Sequence, residues 1–133
     1  MVAERKLFKL LASMTPELTE ETYVFATVDL DFDHSKFAVQ MFFREQEGKT
    51  LILEKRAAEE HGLQYEFPCR MITLNIHSAL DAVGFLAAIT NKLATLEMGV
   101  NPVSAFYHDH LFIPEDRAED AMKALRELSQ LST

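Results

Sequence analysis

The sequence predicts an α+β protein in which antiparallel β-sheets carry helices on one face. Segments with apolar residues at alternate positions, typical of half-buried strands, alternate with segments whose apolar residues recur every three or four positions, as in amphipathic helices. Each half of the 133-residue chain contains a predicted β-hairpin followed by a helix, which indicates a duplicated α/β-sandwich unit. A chain of this length can bury one full core or two small cores.

Composition and charge limit the expected partners and compartment. The chain has 13 Lys plus Arg and 21 Asp plus Glu, hence a formal net charge of −8, which argues against nucleic acid and anionic membranes as partners. Cys69 is the only cysteine, so neither an intrachain disulfide nor a cysteine-based zinc cluster is expected, and a cytoplasmic location fits best. No stretch approaches the roughly 20 apolar residues that span a bilayer. Charged residues near the N-terminus interrupt the apolar run that a signal peptide needs.

The sequence of the first half predicts a helix, three strands and a second helix, in that order. Apolar residues at i, i+3, i+4 and i+7 form one helical stripe near the N-terminus, and Pro16 marks a break after it. In the predicted hairpin turn, Gly48 can supply a positive φ, and Gly62 suits the left-handed position that ends a helix. The predicted elements are a helix through Leu7, Leu10, Leu11 and Met14, strands at 22–30, 37–43 and 50–54, and a helix at 55–61.

A predicted connector at 65–68, stiffened by Pro68, leads into the second half. After an alternating strand, Ser78 and Asp81 have the spacing with which a hydroxyl and a carboxylate stabilise a helix start. Gly99 is placed to end that helix.

A tight hairpin and a final helix complete the second half. His108, Asp109 and His110 form the predicted turn between two short strands. Pro114 and the acids after it favour a helix start, since proline fits the first helical position. The predicted elements are strands at 70–77, 102–107 and 111–113, a helix at 80–98, and a last helix with the stripe Ala118, Ala121, Met122, Leu125 and Leu128.

Residues 74–114, LNIHSALDAVGFLAAITNKLATLEMGVNPVSAFYHDHLFIP, resemble an ACT domain and, more narrowly, an uncharacterised bacterial family of tandem ACT-like proteins. The matching features are a strand that ends in a short loop, Gly84 in the first turn of the helix, and a second strand opened by VNPVS. Val83-Gly84 stands where ACT domains often have Pro-Gly. The resemblance implies a ferredoxin-like α/β sandwich with two tandem ACT-like units, a shorter one at 1–67 and a second at 68–133.

The strand–helix loop is the predicted ligand site. Glycine inside a helix costs about 1 kcal/mol relative to alanine, so Gly84 indicates close approach of another backbone or of a ligand, and either is compatible with the sequence. Free amides at the helix start would bind a carboxylate. The side chains of Asp81, Asn101 and Ser104, or loop carbonyls, could accept from an ammonium group. Asp81 and Ser78 could equally serve as helix caps, and Asn101 could hold a turn. The candidate ligand-binding residues are Ser78, Ala79, Leu80, Asp81, Val83, Gly84, Phe85, Asn101 and Ser104.

Other chemistry has weaker support in the sequence. His108 and His110, with His77 nearby, could bind a metal, but no third ligand is fixed by spacing and turn formation explains them better. An acidic segment with three aspartates at alternating positions between 29 and 33 lacks the glycine and glutamate of a calcium loop. It is expected to be solvated, and the alternative is an acidic lid that attracts the amine of a bound ligand. No nucleophile elbow, phosphate-binding loop or dinucleotide fingerprint is present. We therefore expect no enzyme activity, no metal and no cofactor.

The resemblance implies a cytoplasmic regulatory module that binds a small molecule, such as an amino acid, at the strand–helix loop between units or subunits. ACT-like units often pair side by side, so a homodimer is expected, without nucleic acid or membrane as a partner. The alternative is a protein-interaction or structural module that uses exposed sheet edges and binds no small ligand.

Overall fold

The computed structural model describes residues 6–132, which form four α-helices, one 3₁₀ turn and seven β-strands. In chain order these are α1 (Leu7–Ser13), β1 (Thr15–Leu18), β2 (Tyr23–Val28), β3 (Met41–Arg44), β4 (Lys49–Glu54), α2 (Lys55–Glu60), β5 (Tyr65–Asn75), α3 (Phe85–Ala94), β6 (Asn101–Ser104), β7 (Asp109–Pro114), the 3₁₀ turn (Glu115–Arg117) and α4 (Ala118–Leu131).

The chain divides into two compact units. The first, here called the inserted unit, is a continuous segment from Glu21 to Cys69. The second, the split unit, contains residues 6–20 together with 70–132. Strand β5 contributes its first residues to the inserted unit and its remaining residues to the split unit. The division of the chain at 1–67 and 68–133 into two ACT-like units stays a prediction.

The inserted unit is an antiparallel sheet with the strand order β3-β4-β2-β5 and one helix, α2. Its elements follow the ferredoxin-like order except that residues 29–40 stand where that order has its first helix. Alternate residues of β2 and β4 are buried together with one alanine of α2, because side chains two apart lie on the same face of a strand. This core consists of Val24, Ala26, Leu51, Leu53 and Ala58.

The split unit has the strand order β1-β5-β7-β6 with three helices, and its fourth strand comes from the start of the chain. Strand β1 pairs antiparallel with β5, from Thr15 opposite Asn75 to Leu18 opposite Ile72. Leu10, Leu11 and Met14 are buried, as the predicted stripe of α1 requires. The core combines buried residues of all three helices and of strands β5 and β7, and its fully buried members are Leu10, Ile72, Leu74, Ile89, Leu93, Leu111, Ile113, Ala121 and Leu125.

The break predicted after the first helix is present, since α1 ends at Ser13, but its placement at Pro16 was wrong, because Pro16 lies within β1 opposite Leu74. Proline lacks an N–H and is tolerated in an edge strand, and β1 pairs with β5 alone. The predicted connector at 65–68 was also wrong, since it forms the start of β5. Pro68 fits there because the pairing with β2 shifts register beside it, and Phe67 adopts a φ of 59°.

Two predictions in the hairpin of the inserted unit need correction. The strand expected at 37–43 begins only at Met41, and Phe37 instead stacks on the ring of His61 with a centroid distance of 4.1 Å. Gly48 does not have the positive φ that was expected. A Cβ at this position would lie 2.8 Å from the carbonyl oxygen of Val28, so the hairpin needs glycine for space.

The helix predicted at 80–98 is shorter and begins later. α3 starts at Phe85, after Gly84 at a φ of 89°, and ends at Ala94, so Gly99 does not end it. The Ser78–Asp81 spacing therefore does not form a helix cap.

The turn of the β6–β7 hairpin was predicted at His108–His110 but lies at 105–108. The N–H of Ala105 donates to the carbonyl of His108 at 3.0 Å, and Asp109 and His110 belong to β7.

Candidate functional site

A pocket of about 180 Å³ lies in the split unit where β5 leads into α3. Its wall combines the β5–α3 loop, the first turn of α3 and the β6–β7 hairpin. The lining residues are Ser78, Ala79, Leu80, Ala82, Phe85, Leu86, Ser104, Ala105 and Asp109.

The loop between β5 and α3 sets the direction of the helix start. A turn is closed by the N–H of Ala82 donating to the carbonyl of Ala79 at 2.9 Å, and Gly84 then reverses the backbone in the left-handed region. The first N–H with a partner inside the helix is that of Ala88, which donates to the carbonyl of Gly84 at 2.9 Å. The preceding amides of the first turn, beginning at Phe85, lie beside the pocket and carry partial positive charge.

Asp109 places a carboxylate in the opposite wall of this pocket. The residue is only 8% exposed, although aspartate is rarely buried without a partner. Its Oδ1 accepts a hydrogen bond from the hydroxyl of Ser104, the residue opposite it in the hairpin, at 2.5 Å. Its Oδ2 lies 3.5 Å from the hydroxyl of Ser78. The pocket therefore has a negative group on one side and a helix N-terminus on the other.

The structure brings five of the nine sequence-predicted ligand residues to the pocket wall, namely Ser78, Ala79, Leu80, Phe85 and Ser104. The other four, Asp81, Val83, Gly84 and Asn101, do not line it. The side chain of Val83 is 84% exposed, and Gly84 acts through its backbone.

Sequence reasoning missed Ala82, Leu86, Ala105 and Asp109 as pocket residues. Asp109 is the most important of these four. Because its predicted place was in a turn, where side chains are usually exposed, its burial was not predicted. Its signal in the sequence is the polar pair that it forms with Ser104 across a short hairpin between apolar strands.

The histidines near the pocket are held by protein groups. Nδ1 of His108 lies 3.3 Å from the carbonyl oxygen of Ile76, and Nδ1 of His110 lies 2.9 Å from the hydroxyl of Thr73. Burial and the neighbouring His108 lower the pKa of His110 below its usual 6.5, against a smaller opposite effect of Asp109. Among the residues that the structure describes, no three His, Cys, Asp or Glu side chains are grouped so that they could hold a metal ion.

The acidic loop of the inserted unit is solvent-exposed at its carboxylates, which matches the solvated loop expected from the sequence. Asp33 accepts hydrogen bonds from the hydroxyl and the backbone N–H of Ser35, and these bonds lower the pKa of its carboxyl group. The side chain of Lys49, in β4, holds this loop. Its Nζ donates to the carbonyl of Phe32 at 2.7 Å and lies 3.0 Å from Nδ1 of His34.

Both units have the strand order of a ferredoxin-like α/β sandwich, and the split unit has a small pocket beside its strand–helix loop, so the chain is in the class of tandem ferredoxin-like proteins. The chain belongs to the ACT domain family: two ACT domain models match it, one over residues 2–70 and the other over residues 66–127. ACT domains are regulatory ligand-binding domains rather than catalytic ones. The predicted ACT-like, ferredoxin-like architecture is thereby confirmed.

Solved structures give the same fold. A Vibrio cholerae protein of unknown function, described as a possible transport protein, is 40% identical, with 92% of this chain and 95% of that chain covered and a TM-score of 0.82. An Agrobacterium tumefaciens protein is 16% identical over 87% of this chain and 89% of its own, with a TM-score of 0.73. The ligand-free regulatory subunit of aspartate kinase from Thermus thermophilus is 11% identical over 89% and 97%, with a TM-score of 0.68.

No curated protein matches the sequence significantly. Of the helices within residues 6–132, none combines the length and the apolar character needed to cross a bilayer.

Proposed function

We propose that this protein is a regulatory module that binds a small amino acid in the pocket at the β5–α3 loop. The observation that carries this proposal is the start of α3 beside an open pocket of about 180 Å³. Unpaired amides and the helix dipole favour a carboxylate at this position. The volume lies below the range of about 300–1,000 Å³ that is usual for drug-sized ligands, so it suits a small one.

The regulatory step in this proposal is a population shift. A ligand that binds one arrangement of the loop better than another favours that arrangement by its difference in affinity.

We also propose a cytoplasmic homodimer. Apolar side chains next to the pocket support self-association, since Leu80 and Val83 on the loop and Phe106 and Tyr107 on the hairpin are all exposed. Light scattering of the purified protein with and without amino acids measures this association.

Isothermal titration of the protein with each proteinogenic amino acid tests the ligand. We expect one or a few to bind and to raise the thermal midpoint. Ala105→Leu should abolish this binding, because Ala105 is an exposed turn residue whose enlarged side chain would fill the pocket. Ala94→Leu, the same change at an exposed position at the end of α3, should leave it unchanged. The absence of heat and of any thermal shift with all twenty amino acids would refute the proposal.

A second candidate is a protein-interaction module without a small ligand. Strand β3 lies at the edge of the sheet of the inserted unit, and it exposes Phe42 and Phe43. Edge strands with apolar side chains can pair with a strand of another protein. A specific partner retained in the absence of metabolites, and lost in Phe43→Lys, would favour this function.

A further inference from the structure

We propose that Asp109 receives the ammonium group of the bound molecule, so that the pocket selects small 2-amino acids over the corresponding 2-hydroxy acids. This inference rests on the proposed function and assigns the residue that recognises the ammonium group of its ligand. Asp109 takes the role for which the sequence favoured Asp81, Asn101 and Ser104.

The burial of Asp109 without a cation is the first argument. A buried carboxylate is costly unless a positive group or several donors compensate it. Within residues 6–132, no lysine or arginine forms an ion pair with Asp109, and its side-chain hydrogen bonds come from serine hydroxyls. Burial and His108 lower the pKa of the adjacent His110 by more than the attraction of Asp109 raises it, so the imidazole is mostly neutral at pH 7.

The arrangement of the pocket is the second argument. Asp109 stands in one wall and the first turn of α3 in another. A 2-amino acid carries an ammonium group and a carboxylate on one carbon atom, so it can satisfy both walls at once. A 2-hydroxy acid of the same shape has a carboxylate for the helix start, but it offers Asp109 only a neutral hydroxyl group. Ala79, Ala82 and Leu86 complete the lining with apolar side chains, which fits a short aliphatic substituent.

The experiment compares matched pairs of ligands by isothermal titration. The probes are L-alanine with L-lactate, L-valine with 2-hydroxy-3-methylbutanoate, and L-leucine with 2-hydroxy-4-methylpentanoate. For the wild-type protein we expect the amino acid of at least one pair to bind about tenfold or more tightly than its hydroxy acid, because a charge-assisted bond to a carboxylate is replaced by a neutral one. Equal affinity for both members of every pair would overturn the inference without recourse to any variant.

Asp109→Asn tests the residue itself. The amide keeps the size of the side chain and an acceptor oxygen for Ser104, and its NH2 group can donate to the hydroxyl of Ser78, but it removes the charge. We expect amino-acid affinity to fall by about tenfold or more and the preference over hydroxy acids to disappear. Asp116→Asn removes the same charge from an exposed residue of the split unit and should change neither quantity.

The outcomes separate this inference from the proposed function. If the wild-type protein and Asp109→Asn bind L-alanine, L-valine or L-leucine equally, the role of Asp109 is overturned while the proposed function stands. If no proteinogenic amino acid binds the wild-type protein, both are overturned.

Discussion

Gly84 contributes to the site through its backbone. Its φ of 89° lies in the left-handed region, which is unfavourable for residues with a Cβ. Space is not the constraint, because a Cβ at this position would meet only the methyl group Cδ2 of Leu7 at 3.7 Å, an ordinary contact. Close approach of another backbone or of a ligand was the sequence-based explanation for this glycine. Within residues 6–132 no other backbone lies close to it, and the glycine instead allows the backbone reversal that directs α3.

Gly84→Ala should destabilise the protein by about 1–2 kcal/mol, the cost of placing an L-residue in the left-handed region. Gly84→Asn should cost less, since asparagine tolerates this conformation. Urea unfolding measures both. Gly99→Ala is the matched control, because Gly99 lacks a positive φ and a Cβ added there would meet no other atom within 4 Å. Equal stability of the two alanine variants would contradict the role of the backbone at Gly84.

His110 should make stability depend on pH in the acidic range. Its pKa is lowered in the folded protein, so the unfolded chain binds a proton at a pH where the folded chain does not. The stability that this residue provides is complete above 6.5 and is lost as the pH falls through the lower folded-state pKa.

We therefore expect His110→Gln to lose less stability than the wild-type protein between pH 7.5 and pH 5, as followed by urea unfolding at each pH. His61→Gln, the same change at an exposed residue of the inserted unit, controls for the substitution. A wild-type pH dependence retained in His110→Gln would show that other groups cause it.

At the scale of elements, the loop at 29–40 replaces a helix and is held by one lysine of β4. Lys49 is 5% exposed, and its Nζ lies 5.7 Å from the ring centre of Phe42 in addition to its bonds to the loop. This buried ammonium group donates to a carbonyl and contacts an imidazole of the loop, and the aromatic ring of Phe42 adds a cation–π contact, so the lysine fixes the loop. The loop thus keeps a defined conformation without the repeated hydrogen bonds of a helix.

Lys49→Met should release this loop, because it retains the apolar stem and leaves the carbonyl of Phe32 without its donor. We expect a loss of about 1–3 kcal/mol, the cost of an unsatisfied buried group, together with faster amide hydrogen exchange in residues 29–40. Lys36→Met changes an exposed lysine of the same loop and should be close to neutral. Unaltered exchange in Lys49→Met would exclude the anchoring role.

At the scale of the whole molecule, the inserted unit interrupts the chain of the split unit. The two ends of the interruption are adjacent: the N–H of Thr19 donates to the carbonyl of Met71 at 3.0 Å, and Arg70 Nε donates to the carbonyl of Thr19 at 2.8 Å. A short linker can therefore span the gap in the split unit, in the way that domain insertions are tolerated where termini lie close together.

We expect residues 70–133 alone not to fold, because they lack β1 and the buried leucines of α1. A chain in which a four-residue glycine–serine linker replaces residues 21–69 should fold, since it restores the strand beside β5. Circular dichroism and the dispersion of amide resonances distinguish the two. A folded 70–133 fragment would instead support independent folding of the predicted second half.

The sequence predicted the elements whose signals are local. The apolar stripes of α1 and α4, the alternation in the second part of β5 and the glycine after α2 all depend on neighbours within a few residues. Strand β1 could not be predicted in this way, because four residues containing Pro16 acquire their structure from a partner far along the chain. In the site, the loop after β5 was predictable, but the burial of Asp109 and the left-handed backbone of Gly84 depend on tertiary packing.

The pairing of β1 with β5 has a consequence for synthesis on the ribosome. Thr15 and its partner Asn75 are 60 residues apart in the chain. At translation rates of about 5–20 residues per second, the nascent first strand waits roughly 3–12 s before the strand that accepts it has been made. During that interval the inserted unit is being completed, while the leucines of α1 remain outside the core that they later join.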